Sequence, residues 1–158
     1  MKKKCFLIGL ALVTMISLFA GCASAGKAVK QTASAKQTVG ENGTAVMTVD
    51  LTDGYSVEFA SGAAYFYKGE ASDENDVAAF GYVISKEEYD EEIAYLTANK
   101  SSENDFKNLG DGVYSNSDED GCVYFFPTED GLFMKVAVQK AGMGEAKSIY
   151  PRFSAHNE

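Results

Sequence analysis

From Thr44 onward the sequence alternates between apolar and polar residues with a period of two, and this alternation constrains the fold more than any other feature. Met47, Val49 and Leu51 lie at every second position, and Tyr55, Val57 and Phe59 repeat the pattern after Thr52-Asp53-Gly54. Such alternation is typical of strands with one buried face, and clusters of Asp, Ser and Gly between strands are typical of turns. The sequence therefore predicts a β-rich domain that begins near residue 44.

The same pattern continues to the far end of the chain. Ser61-Gly62 predicts a turn, and Asp120-Gly121 and Asp130-Gly131 are dipeptides that favour hairpin turns. Further strands are predicted over Ala63–Lys68, Val77–Ile84, Val113–Ser117, Cys122–Phe126 and Leu132–Gln139. An acidic loop over 69–76 and a second loop over 100–107 separate some of them.

One segment breaks the period of two. Ser85-Lys86-Glu87-Glu88 fits a capping box, in which the Ser side chain and the Glu three residues later satisfy exposed backbone N–H groups. Tyr89, Ile93 and Leu96 follow at helical spacing and predict one buried face. The sequence therefore predicts a helix over about 86–99.

The element order defines the expected fold class. A second helical segment is predicted around Glu145–Tyr150, with an end or kink at Pro151. The expectation is an α+β domain: an antiparallel β-sheet on which a central-sequence helix and a C-terminal helix pack. This order over residues 44–155 resembles the PsbP-like α/β/α sandwich. The resemblance implies an accessory, partner-binding role and assigns no functional residue.

The N-terminal residues have a different composition. Lys2, Lys3 and Lys4 precede an apolar run from Cys5 to Ala20. A basic start followed by about 16 apolar residues is typical of a secretory signal. A membrane-spanning helix needs about 20 such residues. Residues 1–21 are therefore predicted to be an export signal.

The end of this run, Leu18-Phe19-Ala20-Gly21-Cys22, resembles the lipobox of bacterial lipoproteins. Small residues at Ala20 and Gly21 match that motif, whereas Phe19 stands where Leu is usual. The resemblance implies cleavage between Gly21 and Cys22, attachment of a lipid such as palmitate at Cys22, and anchoring at the extracytoplasmic face of a bacterial membrane. An ordinary signal peptide and an uncleaved anchor are the alternatives.

Residues 22–43 begin with the cysteine of the lipobox and contain no aromatic residue. Their composition, rich in Ala, Ser, Thr, Gly, Lys and Gln, predicts a flexible tether to a single domain over 44–158. That domain carries 22 acidic and 8 basic residues. A strongly acidic surface repels phosphates, so nucleic acid is not expected as a partner.

Few residues indicate catalysis or metal binding. Asn116–Gly121 partly fits a calcium loop, but Pro127 stands where a bidentate Glu is needed, which favours a hairpin turn. Cys122 lies among apolar residues and is expected to be an inert core thiol. His156 is expected at the surface, although a Cys122–His156 pair is conceivable. No cofactor and no metal site is predicted.

The aromatic residues Tyr65, Phe66 and Tyr67 are the candidate binding residues. Tyr65 and Tyr67 fall on one face of their strand and Phe66 on the other. Either helices cover both faces, or one face exposes an aromatic patch that binds a partner. The expected function is a membrane-tethered binding or accessory module for a protein or small ligand. The alternative is a carboxylate-based hydrolase of cell-envelope polymers.

Overall fold

The computed structural model describes residues 31–39, 43–72, 76–101 and 104–158. Within these residues the chain forms two antiparallel sheets and two α-helices. The predicted α+β class and the antiparallel pairing are therefore confirmed, but the strands form two sheets and not the one sheet that was predicted. The predicted signal 1–21, Cys22, and residues 23–30 and 40–42 of the expected tether lie outside the described residues, as do residues 73–75 of the acidic loop.

The larger sheet has seven strands in the described residues, in the order β3-β4-β5-β9-β8-β7-β6. Their bounds are β3 Tyr55–Ala60, β4 Ala63–Lys68, β5 Val77–Ile84, β6 Asp105–Gly110, β7 Val113–Ser117, β8 Gly121–Pro127 and β9 Phe133–Gln139. Ser61 and Gly62 connect β3 to β4 with φ angles of 51° and 76°. Two positive φ values are what a tight two-residue hairpin turn requires.

Over the part of the chain that the structure describes, the smaller sheet has three strands in the order β1-β2-β10, with bounds β1 Thr32–Val39, β2 Gly43–Asp50 and β10 Phe153–Asn157. The tether prediction is therefore wrong for residues 32–39, which pair with β2 along their whole length. Their small polar side chains would not form a strand alone. Pairing with a neighbour whose Met47 and Val49 are fully buried supplies the stabilisation.

The main core lies between the two sheets. Phe66 of β4, Val136 of β9 and Met47 of β2 are all fully buried there. Phe153 of β10 approaches so closely that a Cβ atom at Gly81 would lie 2.8 Å from its ring. Only glycine accommodates that contact. We call the side of the larger sheet that meets the smaller sheet its inner face.

The opposite, outer face of the larger sheet is partly covered by helix α1, Lys86–Ala98. The predicted capping box is present: the Ser85 side chain accepts from the Glu88 N–H, and the Glu88 carboxylate accepts from the Ser85 N–H. Tyr89, Ile93 and Leu96 pack on a second core that includes Ile84 and Phe125. The predicted helix is thus confirmed, and its apolar stripe faces the sheet with Tyr89 buried and Ile93 and Leu96 half-buried.

Three C-terminal and edge features differ from the prediction. The second helix, α2, is a single turn over Ala146–Ile149. It ends before Pro151, as predicted, but a 3₁₀ turn then leads into a strand that was not predicted, β10. The predicted loop over 100–107 gives way to β6 at Asp105. The inner face is therefore covered mainly by a sheet and not by a C-terminal helix. No helix among the described residues is long and apolar enough to cross a membrane.

Candidate binding face

Strand β4 directs its aromatic residues to opposite faces, as its alternation predicted. Phe66 points inward, is fully buried, and stacks on Tyr55 with ring centroids 4.6 Å apart. Phe66 is therefore wrong as a candidate binding residue. Tyr65 and Tyr67 are half-buried and lie on the outer face.

The neighbouring strand adds two more aromatic rings to this face. Tyr65 pairs directly with Phe80 of β5, and Tyr82 follows two residues later on the same side. The ring centroids of Tyr65 and Phe80 are 6.3 Å apart, and those of Phe80 and Tyr82 are 5.8 Å apart. Both distances are typical of interacting aromatic pairs. We call Tyr65, Tyr67, Phe80 and Tyr82 the outer aromatic patch.

Core packing does not explain the central rings of this patch. Tyr65, Tyr67 and Phe80 belong to neither apolar core of the described residues, and only Tyr82 packs at the edge of the core beneath α1. Burial there raises the pKa of Tyr82, with smaller contributions from Tyr65 and Glu92. The patch is therefore a connected apolar surface that stays partly open to solvent.

Carboxylates border the outer aromatic patch on two sides. Glu58 of β3 is exposed and pairs in register with Tyr65. Beyond Tyr82, Glu92 of α1 binds Lys135 of β9, with 2.5 Å between Oε1 and Nζ. Lys135 also lies over the ring of Phe125, with Nζ 5.3 Å from its centroid. Lys135 pairs in register with Tyr82, so the ammonium group beside this end of the patch is already bound to a carboxylate.

A separate cleft of about 470 Å³ lies at the inner side, lined by Cys122, Tyr124, Met143, Glu145 and neighbouring residues that include the first three of α2. Cys122 is only 7% exposed, and burial raises the pKa of its thiol. A raised pKa disfavours the reactive thiolate. Tyr124 stacks on Tyr150 with centroids 4.2 Å apart, and burial also raises the pKa of its hydroxyl. This environment fits the predicted inert thiol.

Glu145 at the rim of this cleft is held in a polar network. Lys68 donates to its Oε1 at 2.5 Å, and the Tyr55 hydroxyl donates to its Oε2. These two hydrogen bonds lower the pKa of Glu145. A carboxylate with a lowered pKa is a poor proton donor near neutral pH. Among the described residues that line the cleft, Glu145 is the single carboxylate.

Arg152 extends this network to the smaller sheet. Its guanidinium lies 4.6 Å from the Tyr55 ring centroid and donates to the Thr52 carbonyl at 2.7 Å. A second nitrogen donates to Asp53 Oδ2 at 2.8 Å. The side chain is 15% exposed. These contacts tie the β2–β3 turn to the segment before β10, which is a structural role.

The remaining sequence candidates are separated in space. Asn116–Gly121 is a hairpin turn, as favoured, and Asp118 Oδ1 accepts from the N–H groups of Asp120 and Gly121, both at 2.9 Å. Cys122 lies in the larger sheet, whereas His156 lies half-buried in β10 of the smaller sheet and pairs with Val46. The described residues contain no cluster of three or more His, Cys, Asp or Glu suited to a metal ion.

Comparisons with known proteins add no assignment. Neither a known protein family, nor a curated protein, nor a solved structure matches this chain.

Sequence reasoning missed Phe80 and Tyr82 as members of the patch. Their signal was present: they alternate with Ala79, Gly81 and Val83, so they must share a face. What the sequence could not give was the pairing of β5 with β4, which places Phe80 beside Tyr65.

Proposed function

We propose that this chain is an exported bacterial lipoprotein that is anchored through Cys22 and binds a protein or small ligand through the outer aromatic patch. The lipobox-like sequence Leu18–Cys22 supports the anchor. The observation that supports the binding role is the Tyr65–Phe80–Tyr82 ring cluster, which lies on a sheet face outside both cores. Partly exposed aromatic clusters are enriched at protein interfaces.

The cleft supports turnover less well than the patch supports binding. Carboxylate-based glycoside hydrolysis needs two carboxyl groups about 5–9.5 Å apart, one of them protonated. The cleft offers Glu145, whose pKa is lowered by Lys68 and Tyr55. We therefore propose a binding or accessory module in preference to a hydrolase.

A relation to the PsbP-like fold stays part of this proposal. The order of strands, helix and meander favours it. The three-stranded sheet on the inner face, where a helix was expected, is a departure from the proposed sandwich. An accessory role is what such a relation would imply.

The anchor is tested by Cys22→Ala. Cells that express this variant should incorporate no labelled palmitate into the protein, and should release it or retain an uncleaved precursor. Wild-type incorporation by the variant would refute the anchor. The matched control is Cys122→Ala, which removes a different thiol and should label normally.

The binding role is tested by photo-crosslinking in intact cells. A photoreactive phenylalanine analogue at position 65 should give a discrete, reproducible crosslinked species. The same analogue at position 95, on the 64% exposed Tyr95 of α1, should not give that species. Identical products from both positions would contradict a binding site at the patch.

A further inference from the structure

On the outer face of the larger sheet, outside the aromatic patch, two lysine ammonium groups lie over aromatic rings. Lys135 Nζ lies 5.3 Å from the Phe125 ring centroid, and Lys100 Nζ lies 5.5 Å from that of Phe106. Both rings project from the same face as the patch. Within the described part of the chain, no lysine or arginine lies over Tyr65, Phe80 or Tyr82.

The chain segment that carries these three rings is strongly acidic. Residues 44–99, which contain β3, β4, β5 and α1, carry 12 acidic and 2 basic side chains. Both basic side chains are already paired, Lys68 with Glu145 and Lys86 with Asp90. The exposed Glu58 lies beside Tyr65 in the adjacent strand. Lys135 of β9 pairs in register with Tyr82, but it is bound to Glu92. The segment 44–99 therefore has an excess of carboxylates, and these three lysines are already paired.

Aromatic faces attract ammonium and guanidinium groups, and nearby carboxylates strengthen that attraction. The rings also tilt against one another, by 32° between Tyr65 and Phe80 and by 53° between Phe80 and Tyr82. Tilted rings present several faces to one ligand. We infer that the outer aromatic patch receives a basic segment of a partner protein, whose lysine or arginine side chains lie on Tyr65, Phe80 and Tyr82 while Glu58 pairs with a neighbouring positive charge.

This inference rests on the proposed function and names the class of partner for the same site. The probe is a ten-residue peptide of alternating arginine and alanine. The matched peptide replaces arginine with citrulline, which keeps the shape and removes the charge. Binding is measured on the full acylated chain in a nonionic detergent through tyrosine emission, since the sequence contains 9 Tyr and no Trp.

The arginine peptide should bind saturably and the citrulline peptide should not. Loss of one ring through Phe80→Leu should raise the dissociation constant of the arginine peptide by about tenfold. Glu58→Gln should raise the dissociation constant by about threefold and should make binding less dependent on the salt concentration. Tyr95→Leu, on the exposed face of α1, should leave it unchanged. If Phe80→Leu lowers the melting temperature, Tyr65→Leu replaces it, with Tyr65→Phe expected to retain binding.

Equal binding of both peptides, or arginine-peptide binding that no patch variant weakens, would overturn the basic-partner inference. Binding of the uncharged glycan chitohexaose through the patch, in place of the peptide, would overturn it as well. The crosslinking result at position 65 separates the two proposals. A crosslink there without peptide binding retains the binding role and rejects the basic partner, whereas the loss of both rejects the binding role.

Discussion

The two faces of the larger sheet are built from the same strands but are covered very differently. On the inner face the smaller sheet leaves Phe66, Met134 and Val136 with no exposed surface. On the outer face α1 packs over β8 and β9 and leaves the region of β3 to β5 partly open. Seven strands span about 29 Å, and one helix covers a band about 10 Å wide. A single helix therefore cannot seal this face, whereas a second sheet can seal much of the other.

The largest expected effect comes from Phe66→Ala on the inner face. This change removes a fully buried ring that contacts Tyr55 and Phe153. It should lower the free energy of unfolding by about 3–5 kcal/mol, as large-to-small core substitutions do. Urea unfolding followed by circular dichroism measures the effect. A loss below about 1 kcal/mol would mean that the two sheets are packed less tightly than described.

A substitution in the part of the outer face beneath α1 should lower the free energy of unfolding by an intermediate amount. The Tyr89 hydroxyl donates to the Gly112 carbonyl at 2.5 Å, and the Tyr89 ring stacks on Phe133. Tyr89→Phe keeps the ring and removes the hydrogen bond, so it should cost about 1 kcal/mol. The same urea titration measures it. An unchanged midpoint would show that water hydrogen-bonds to the Gly112 carbonyl in place of the Tyr89 hydroxyl with no loss of stability.

The stability of the domain should depend less on the side chains in the open part of the outer face. Tyr65 is the immediate neighbour of Phe66 but is half-buried and outside both cores. Tyr65→Ala should therefore cost about 1 kcal/mol or less, far below the cost of Phe66→Ala. A cost equal to that of Phe66→Ala would show that Tyr65 is structural, which would remove the main ground for a binding site there.

The smallest effect concerns Glu145, which is half-buried at the rim of the cleft. Its pKa in the folded state is lowered from the ordinary 4.5 by Lys68 and Tyr55. The stabilisation is therefore fully present above about pH 4.5 and is lost as the pH falls through the lowered value. Glu145→Gln should make thermal stability slightly less dependent on pH below 4.5. A stronger dependence in the variant would contradict this assignment.

The sequence predicted the elements whose own residues carry a strong pattern. Helix α1 and strand β9 follow their predicted bounds closely because a capping box and clear alternation define them. Strands β1, β6 and β10 were missed because each contains few apolar residues and is stabilised by pairing with its neighbouring strand. Strand β1, for example, has Val39 as its one large apolar residue. Which ring of β4 would be buried was likewise decided by the position of the smaller sheet.

The strand order of the smaller sheet has a consequence for how the chain reaches its native state. Val49 of β2 pairs with Phe153 of β10, so these two strands are separated by about a hundred residues along the chain. Contacts between such distant residues form slowly because a long loop must close first. Until β10 pairs with β2, solvent can reach part of the side chains of Met47, Val49 and Phe66. The inner core is therefore assembled late, and a nascent or truncated chain that lacks β10 exposes its most apolar surface to aggregation.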